Sequence, residues 1–363
     1  MSYRVAIIGA GHVAHLHAQG YRGTGKTEVV AVADISREAR DAFSQDYGIP
    51  ATYDDYRAML EQEKPDIVSV CVWPHMHPEA AINSAMTSSV RGVLCEKPLG
   101  LTMAAMKDII TACDASNVRL GIGHQLRYQR RHEIARDLIR SGEIGEIERV
   151  WAVCASGDLM SNTIHTVDLM LMYCSDRKVT KLFAQVDPGE GGYRFGHPVE
   201  RTAMAYGRIG ADDGSPAVRF SVESANLWTA GYHYLTVEGT RGVIEVNRPD
   251  SPLVQIRRAG DNVAVSVPVD DEPDASTEAA LELCAAIEEN RDPYSSGRTG
   301  YRSAELILAM YASAFRKQPV DLPLPVDLPS PLHQLFAWDG VVRGGRGAAF
   351  STSGIATTDQ KIR

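Results

Sequence analysis

The sequence predicts an α/β protein of two domains: a doubly wound parallel sheet, then an α+β domain built on an antiparallel sheet. Three observations carry this. Residues 3–123 alternate short apolar strands with amphipathic helices. Residues 179–267 hold seven strand candidates in succession, with no helix between them. At 363 residues, the chain also exceeds what one hydrophobic core ordinarily serves.

Residues 5–8 form an apolar strand that runs into Gly9-Ala10-Gly11, and a helix follows from about His12 to Arg22. Residues 29–33 are a second apolar run, ending at Asp34. Ser36 can cap a helix reaching Tyr47, and 54–63 reads as another helix. Residues 66–72 form a buried strand that stops at Trp73-Pro74. His77-Pro78 opens a helix, since proline suits the first helical turn. Gly92-Val93-Leu94-Cys95 is a strand ending in Glu96-Lys97-Pro98. Thr102 caps a helix to about Ala115, and 118–122 returns as a strand.

Beyond this point the texture changes. Residues 130–141 read as a helix stopped by Gly142, 146–155 alternate as a strand, and 161–174 form a strongly apolar helix. The strand candidates are 180–186, 202–209, 217–223, 234–238, 243–247, 254–258 and 263–267, with Gly239-Thr240-Arg241-Gly242 as a hairpin turn. Helices at 277–290 and 301–316 close the domain, and 319–331 is proline-rich. The expected division is 1–123 for the first domain, 124–330 for the second and 331–363 for an extended tail. The last dozen residues are poor in apolar side chains and are expected to be mobile.

Composition narrows the function. Apolar residues make up 44% and charged residues 23%, as in globular proteins. A net charge of −9 argues against a nucleic-acid or anionic-membrane surface. No apolar run reaches spanning length, and the first strand starts too early to leave room for a signal peptide. The six cysteines contain no CxxC pair, which points to a reduced, cytoplasmic protein without a structural zinc site. The acidic stretch Asp270-Asp271-Glu272 reads as a solvated loop.

Chemistry concentrates at the predicted strand ends. Gly9 permits a tight turn, Gly11 has no Cβ to keep a pyrophosphate away, and Ala14 lets the helix pack close. The helix start at His12-Val13 offers free N–H groups to phosphates. Asp34 stands at the spacing of an acid that binds ribose hydroxyls. A glycine turn alone also occurs in ordinary βαβ units. Strand, turn, helix, second strand and acid in that order point to a nicotinamide or flavin dinucleotide. In an open parallel sheet ligands bind beyond the carboxyl ends of strands, so the 73–77 and 96–98 segments should face the same crevice. Lys97 there is a proton donor or acceptor if buried, or else a solvated lysine. His165, within an apolar helix, reads on its own as a hydrogen-bonded core histidine. His77 suits the crevice wall better than a metal, because no thiol or carboxylate accompanies His75 and His77. Asp168, at i+3 from His165, either orients its imidazole or satisfies a local backbone group. The glycine-rich 189–197 loop, with Tyr193, Arg194 and His197, either covers a substrate or forms a hairpin.

Glu96-Lys97-Pro98 behind an N-terminal Gly9-Ala10-Gly11 resembles the glucose–fructose oxidoreductase / inositol dehydrogenase (Gfo/Idh/MocA) family. Val72-Trp73-Pro74-His75-Met76-His77, Gly121-Ile122-Gly123-His124-Gln125-Leu126-Arg127-Tyr128, Gly142-Glu143-Ile144-Gly145 and Asn162-Thr163-Ile164-His165-Thr166-Val167-Asp168 are similar to further family landmarks, in order, over residues 3–325. The resemblance implies an N-terminal Rossmann doubly wound parallel sheet plus a C-terminal α+β domain with an open, mainly antiparallel sheet. It implies NAD, with NADP as the alternative, and a homodimer or homotetramer acting on a small carbohydrate or polyol. Lys97 and His165 match its catalytic pair: His165 exchanges the substrate proton while Lys97 holds the same oxygen, or the reverse. The cofactor set would be Gly9, Gly11, His12, Val13, Asp34, Arg37, Pro74, His77, Glu96 and Gln125, and the substrate set Asn162, Arg127 and Trp73.

Two departures stand out. Many relatives carry an aspartate three or four residues before the helix histidine, where this chain has Asn162 and Ser161. Trp73 occupies a place that is often small or polar in relatives. Asp34 favours NAD by repelling a 2′-phosphate, and Arg37 works the other way. The expected activity is hydride transfer between nicotinamide and a sugar, polyol or related hydroxy compound. A redox-neutral glycosidase that retains NAD is the enzymatic alternative. A dinucleotide sensor is the non-enzymatic one, against which Lys97 and His165 together argue.

Overall fold

The computed structural model describes residues 2–189, 192–210, 216–225, 232–270 and 273–338. The first domain contains β1 (Tyr3–Ile8), α1 (His12–Gly23), β2 (Thr27–Ala33), α2 (Arg37–Tyr47), β3 (Ala51–Tyr53), α3 (Tyr56–Glu63), β4 (Ile67–Val70), α4 (His77–Ala85), β5 (Gly92–Cys95), α5 (Met103–Ala115) and β6 (Arg119–Ile122). Its six strands are parallel in the order β3-β2-β1-β4-β5-β6. Every residue of β4 and β5 is buried, because helices cover both faces of the sheet. Ser36, Asp55 and Thr102 cap their helices by accepting backbone N–H bonds. Asp55 therefore starts α3 two residues later than expected, and 51–53 becomes the edge strand β3, too short to show a period.

The register decides where the site lies. Ala33 pairs with Ile8, Ile8 with Val70, Val70 with Cys95 and Cys95 with Ile122. Five strands thus end in one row. Asp34, Gly9, Cys71, Glu96 and Gly123 each take the first step beyond it.

The remaining elements are α6 (Arg130–Arg140), β7 (Ile147–Cys154), a π-helical turn at Leu159–Thr163, α7 (Ile164–Tyr173), β8 (Val179–Asp187), a hairpin of β9 (Gly192–Arg194) and β10 (His197–Val199), β11 (Thr202–Ile209), β12 (Val218–Ser224), β13 (His233–Gly239), β14 (Gly242–Val246), β15 (Val254–Arg258), β16 (Val265–Ser266), α8 (Ala275–Glu289), α9 (Gly297–Arg316), β17 (Val320–Asp321) and α10 (Pro331–Trp338). Nine strands form an open sheet ordered β16-β15-β14-β13-β7-β12-β11-β8-β17. Only the β7–β12 pair is parallel, so the sheet is mixed and mainly antiparallel. Alternate residues of β11 are buried, which leaves one face of the sheet against α7 and α9 and the other exposed.

Two expectations change. The helix at 275–289 does not belong to the second domain's core. Leu283, Cys284 and Ile287 pack with Val5, Ile7 and Leu94 of the first sheet. A Cβ on Gly20 of α1 would stand 2.6 Å from the Ser276 carbonyl oxygen, so close packing holds α8 there. The division at 123 is therefore crossed by a later helix. The start of the expected extended tail is instead α10, which buries Leu332, Leu335 and Phe336 against α9. The rest of the tail, 339–363, and Asp271-Glu272 of the acidic stretch lie outside the described residues.

Candidate active site

Gly9 has φ +96°, and a Cβ there would lie 2.6 Å from the Cys71 carbonyl oxygen. The residue must be glycine for both reasons. Gly11 caps α1 without a side-chain hydrogen bond, and a Cβ on it would meet nothing within 4 Å. Open space therefore fronts the free N–H groups of the helix, with His12 exposed and Val13 half-buried beside it. The Asp34 carboxylate spans this turn, accepting from the Ala10 N–H (2.8 Å) and the Ser36 N–H (2.8 Å). Each oxygen keeps a lone pair for a ribose hydroxyl. These features fit a dinucleotide. The exposed Arg37 guanidinium pairs with Asp41 one helical turn away (3.3 Å), while Arg40 reaches the Asp34 carbonyl (3.1 Å).

Lys97 and Glu96 leave β5 in opposite directions. The Lys97 ammonium donates to the Ser161 carbonyl at 2.5 Å. Burial pushes its pKa down, outweighing the Glu96 and Asp158 carboxylates. Glu96, expected on the cofactor, is instead buried against His17, whose Nε2 lies 2.9 Å from Oε1. His17 Nδ1 reaches Ser69 Oγ (3.0 Å), which also meets the Tyr21 hydroxyl (2.8 Å). Burial works against the His17 imidazolium, but Cys71 and Glu96 outweigh it and raise its pKa to about 10. His77 is also corrected. It is fully buried, with its nitrogens on the carbonyls of Pro98 (2.8 Å) and Val72 (3.0 Å). It braces the ends of β4 and β5 together rather than lining the crevice, and Pro74 is buried with it.

His165 stands one helical turn beyond Ser161. Its ring packs edge-on against His124 (5.5 Å between centroids) and His233 (5.8 Å). Its Nδ1 is buried and unpartnered among the described residues. Burial first, then the charge of Lys97 and the two neighbouring histidines, hold its pKa well below the usual imidazole value. His233 falls to about 4, chiefly by burial, and its Nδ1 meets Thr166 Oγ1 at 2.8 Å. Asp168 does not orient His165. It takes Arg127 Nε (2.6 Å) and Nη2 (2.8 Å) and the Ser303 hydroxyl (2.9 Å). Arg127 is fully buried and also bonds Asp176 (2.6 Å). That removes Arg127 from the substrate set: a guanidinium between two carboxylates is a scaffold group.

A cavity of about 520 Å³ opens onto His165 and Asn162. Gln125 and Arg131 line one side, and Tyr232, His233, Asn247 and Arg248 line another. Gln125 Oε1 is buried without a partner among the described residues, at the junction of this cavity with the first domain. Trp73 stands apart from this cavity. It is 41% exposed, edge-on to His75, under the tip of the β9–β10 hairpin at Gly196. The hairpin is tied down by Arg194 to Asp158 (3.6 Å), and His197 is buried behind Ser161. Reasoning from sequence missed Asp158, which caps the π-helical turn, and His233, Arg131 and Arg248. His233 and Arg248 come from segments distant in sequence, so no local signal marks them, whereas Asp158 stands just before the turn that it caps.

Residues 3–124 match a family described as "Oxidoreductase family, NAD-binding Rossmann fold", and residues 152–322 match its "C-terminal alpha/beta domain". D-glucoside 3-dehydrogenase of Escherichia coli (strain K12) is 36% identical over 151 residues, 40% of this chain and 41% of that protein. Myo-inositol 2-dehydrogenase of Thermotoga maritima is 25% identical over 194 residues, 50% of this chain and 57% of that protein. The chain thus spans between about two fifths and three fifths of these relatives. A structure of levoglucosan dehydrogenase in complex with NADH shares the fold, with a TM-score of 0.77, 20% identity, and coverage of 90% of this chain and 100% of that one. With matches over both its domains, the chain belongs to the Gfo/Idh/MocA oxidoreductase family.

Proposed function

We propose that this protein is an NAD-dependent oxidoreductase that interconverts a CH–OH group of a sugar or polyol with the carbonyl. The observation that carries this is that Lys97, one residue beyond the row of strand ends, reaches the Ser161 carbonyl one turn before His165, which lines the cavity. Bound NAD would supply the hydride acceptor for the carbinol carbon. Asp34 would hold its ribose, and the start of α1 its phosphates. Lys97 and His165 share the substrate oxygen.

The family resemblance implies proton exchange by His165, with the reverse as the alternative. The pKa directions favour the reverse order. Burial and the neighbouring cations make His165 a weaker base than a free imidazole, and burial lowers Lys97 from its ordinary value. Lys97 takes the proton, and His165 fixes the oxygen by a hydrogen bond. Asn162 lines the same cavity, positioned to bind a neighbouring hydroxyl.

A panel of sugars, inositols and hydroxy acids with NAD and NADP, followed by absorbance of the reduced cofactor, tests this. A member of the panel should reduce NAD in preference to NADP. Glycoside cleavage without net NADH would replace the reading with that of a redox-neutral glycosidase.

We also propose a homo-oligomer in a reducing, cytoplasmic setting. Six buried free thiols suit that setting. The outer face of the nine-stranded sheet exposes Trp151, Phe183, Met204 and Tyr206 together, suited to a second copy. Tyr206→Arg should convert the assembly to monomers in light scattering. A wild-type monomer would refute this.

A further inference from the structure

We infer that Glu200 is a positioning residue for Lys97: through the backbone of the π-helical turn at 159–163, it holds in place the Ser161 carbonyl that receives the Lys97 amine. Glu200 itself does not line the cavity. This role rests on the proposed reading of Lys97 as the group that takes the substrate proton.

The turn carries its own bonds but not its own placement. Asp158, just before it, accepts the Ser161 N–H on its side chain (3.0 Å) and the N–H groups of Asn162 and Thr163 on its carbonyl (both 2.9 Å). The bond from Thr163 spans five residues, the π pattern. Asp158 stands at φ +64°, a conformation that is costly away from glycine and persists where surrounding contacts enforce it. Leu159 opens the turn and is fully buried. The N–H at a helix start has no partner within the helix, and a buried one cannot turn to water. Glu200 Oε1 accepts it at 2.5 Å. The segment leading to Glu200 touches the turn twice more. Arg194 approaches the Asp158 carboxylate (3.6 Å), and His197 Nε2 accepts from the Ser161 hydroxyl (3.3 Å), since Nδ1 donates to the Pro198 carbonyl (3.1 Å). Of the three ties, that of Glu200 is the shortest.

Glu200 is anchored in turn. Its Oε2 accepts from the Tyr311 hydroxyl at 2.7 Å, and Tyr311 is fully buried in α9, edge-on to Phe336 of α10. A continuous path thus runs from the core of the second domain through Tyr311, Glu200 and the turn to Lys97. At its end, the Ser161 carbonyl takes one N–H of Lys97 at 2.5 Å. That bond fixes the rotation of a neutral amine and leaves its lone pair for the substrate hydroxyl. Burial lifts the Glu200 carboxyl to about 7, against the bond from Tyr311. Oε1 can accept from Leu159 in either protonation state, so the role needs the oxygen at that reach and not the charge.

The test compares two substitutions. Glu200→Asp keeps the charge and draws the carboxylate back by one methylene, and Glu200→Gln keeps the reach and an acceptor oxygen without the charge. Initial rates with NAD on the substrate found in the panel give kcat, KM and the pH profile of kcat/KM, with NADH titration and thermal melts alongside. Glu200→Asp should lower kcat about tenfold or more, because small misplacements of a reacting group are costly. KM should change less, and NADH affinity should hold. The Lys97 ionisation should move to lower pH, since a lost acceptor disfavours the ammonium. Glu200→Gln should recover most of the rate and return the ionisation to its wild-type place. If Glu200→Asp does not fold, Tyr311→Phe replaces it: it frees Oε2 and should lower kcat with the same shift in the profile. Wild-type kcat and profile in the folded member of that pair overturn the inference and leave the proposed function standing. Loss in Glu200→Gln as deep as in Glu200→Asp also overturns it, because charge would then be what counts. If the wild type oxidises no member of the panel, or Lys97→Met keeps its turnover, the proposed function or its use of Lys97 fails first, and the inference falls with it.

Discussion

Replacement of Lys97 by methionine keeps the length of the side chain and removes its proton chemistry. Two terms set the expected effect on stability, and they oppose each other. The bond from Nζ to the Ser161 carbonyl at 2.5 Å is lost. A bond from a charged donor contributes about 1.5–3 kcal/mol. Against this, methionine removes an ammonium whose burial is unfavourable, as its lowered pKa records. The folded state should therefore change little, and NADH should bind as before. The rate should not survive. Loss of one proton-handling group costs about 10²–10⁴ in turnover, or roughly 3–5.5 kcal/mol in the barrier. The assay is initial-rate kinetics on the substrate found in the panel, with NADH fluorescence and thermal melts as controls. In the wild type, kcat/KM for oxidation should rise with pH through an ionisation below the ordinary lysine value of 10.5. That limb should vanish in Lys97→Met and also in Lys97→Arg, which keeps the charge but cannot release it. A folded Lys97→Met protein with near-normal turnover and the same limb would refute the assignment. If the limb disappears only in His165→Asn, the proton belongs to His165.

Gly9→Ala should weaken both NADH binding and the fold, since alanine meets a disfavoured φ of +96° and the Cys71 carbonyl. The strain costs roughly 1–3 kcal/mol, and unchanged NADH affinity by titration would contradict the proposed place of the turn in the site. Asp34→Ala should lower the NAD/NADP ratio of catalytic efficiencies, and it should also loosen the turn by freeing the Ala10 and Ser36 N–H groups. An unchanged ratio would show that Asp34 does not meet the ribose. Acid should destabilise the protein in a defined window. His77, His124, His132, His165 and His233 all have folded pKa values below their ordinary 6.5. The unfolded chain therefore takes up protons first, and stability falls as pH drops below about 6.5. Glu96 and Asp168, whose values are lowered, add a further loss at still lower pH. His17 has the opposite sign: its contribution is complete below 6.5 and is lost as pH rises through about 10. Urea melts across pH check both limbs, and constant stability between about pH 7 and pH 4.5 would contradict the buried neutral histidines.

The sequence by itself determined the parallel sheet, the glycine turn, the acid at the second strand end and the position of Lys97 after the fifth strand. Each of these depends on a local pattern: apolar runs of strand length, a turn residue and a cap. Once the runs are strands of one parallel sheet, their ends must align, and the row from Ala33 to Ile122 follows. What only the tertiary structure decided is which polar groups meet. Glu96 turns to His17, 79 residues away, instead of toward the cofactor. Arg127 and Asp168 neutralise each other inside the protein, 41 residues apart. The same holds for α8, whose amphipathic pattern fits either core and which close packing at Gly20 and Gly23 assigns to the first. The cavity joins Arg131 to Asn247 across 116 residues. The physical reason is common to all four. Periodicity reports that a face is buried, but the partner of a buried charge is selected by the summed packing and desolvation of whole elements, and no local stretch of sequence contains that sum.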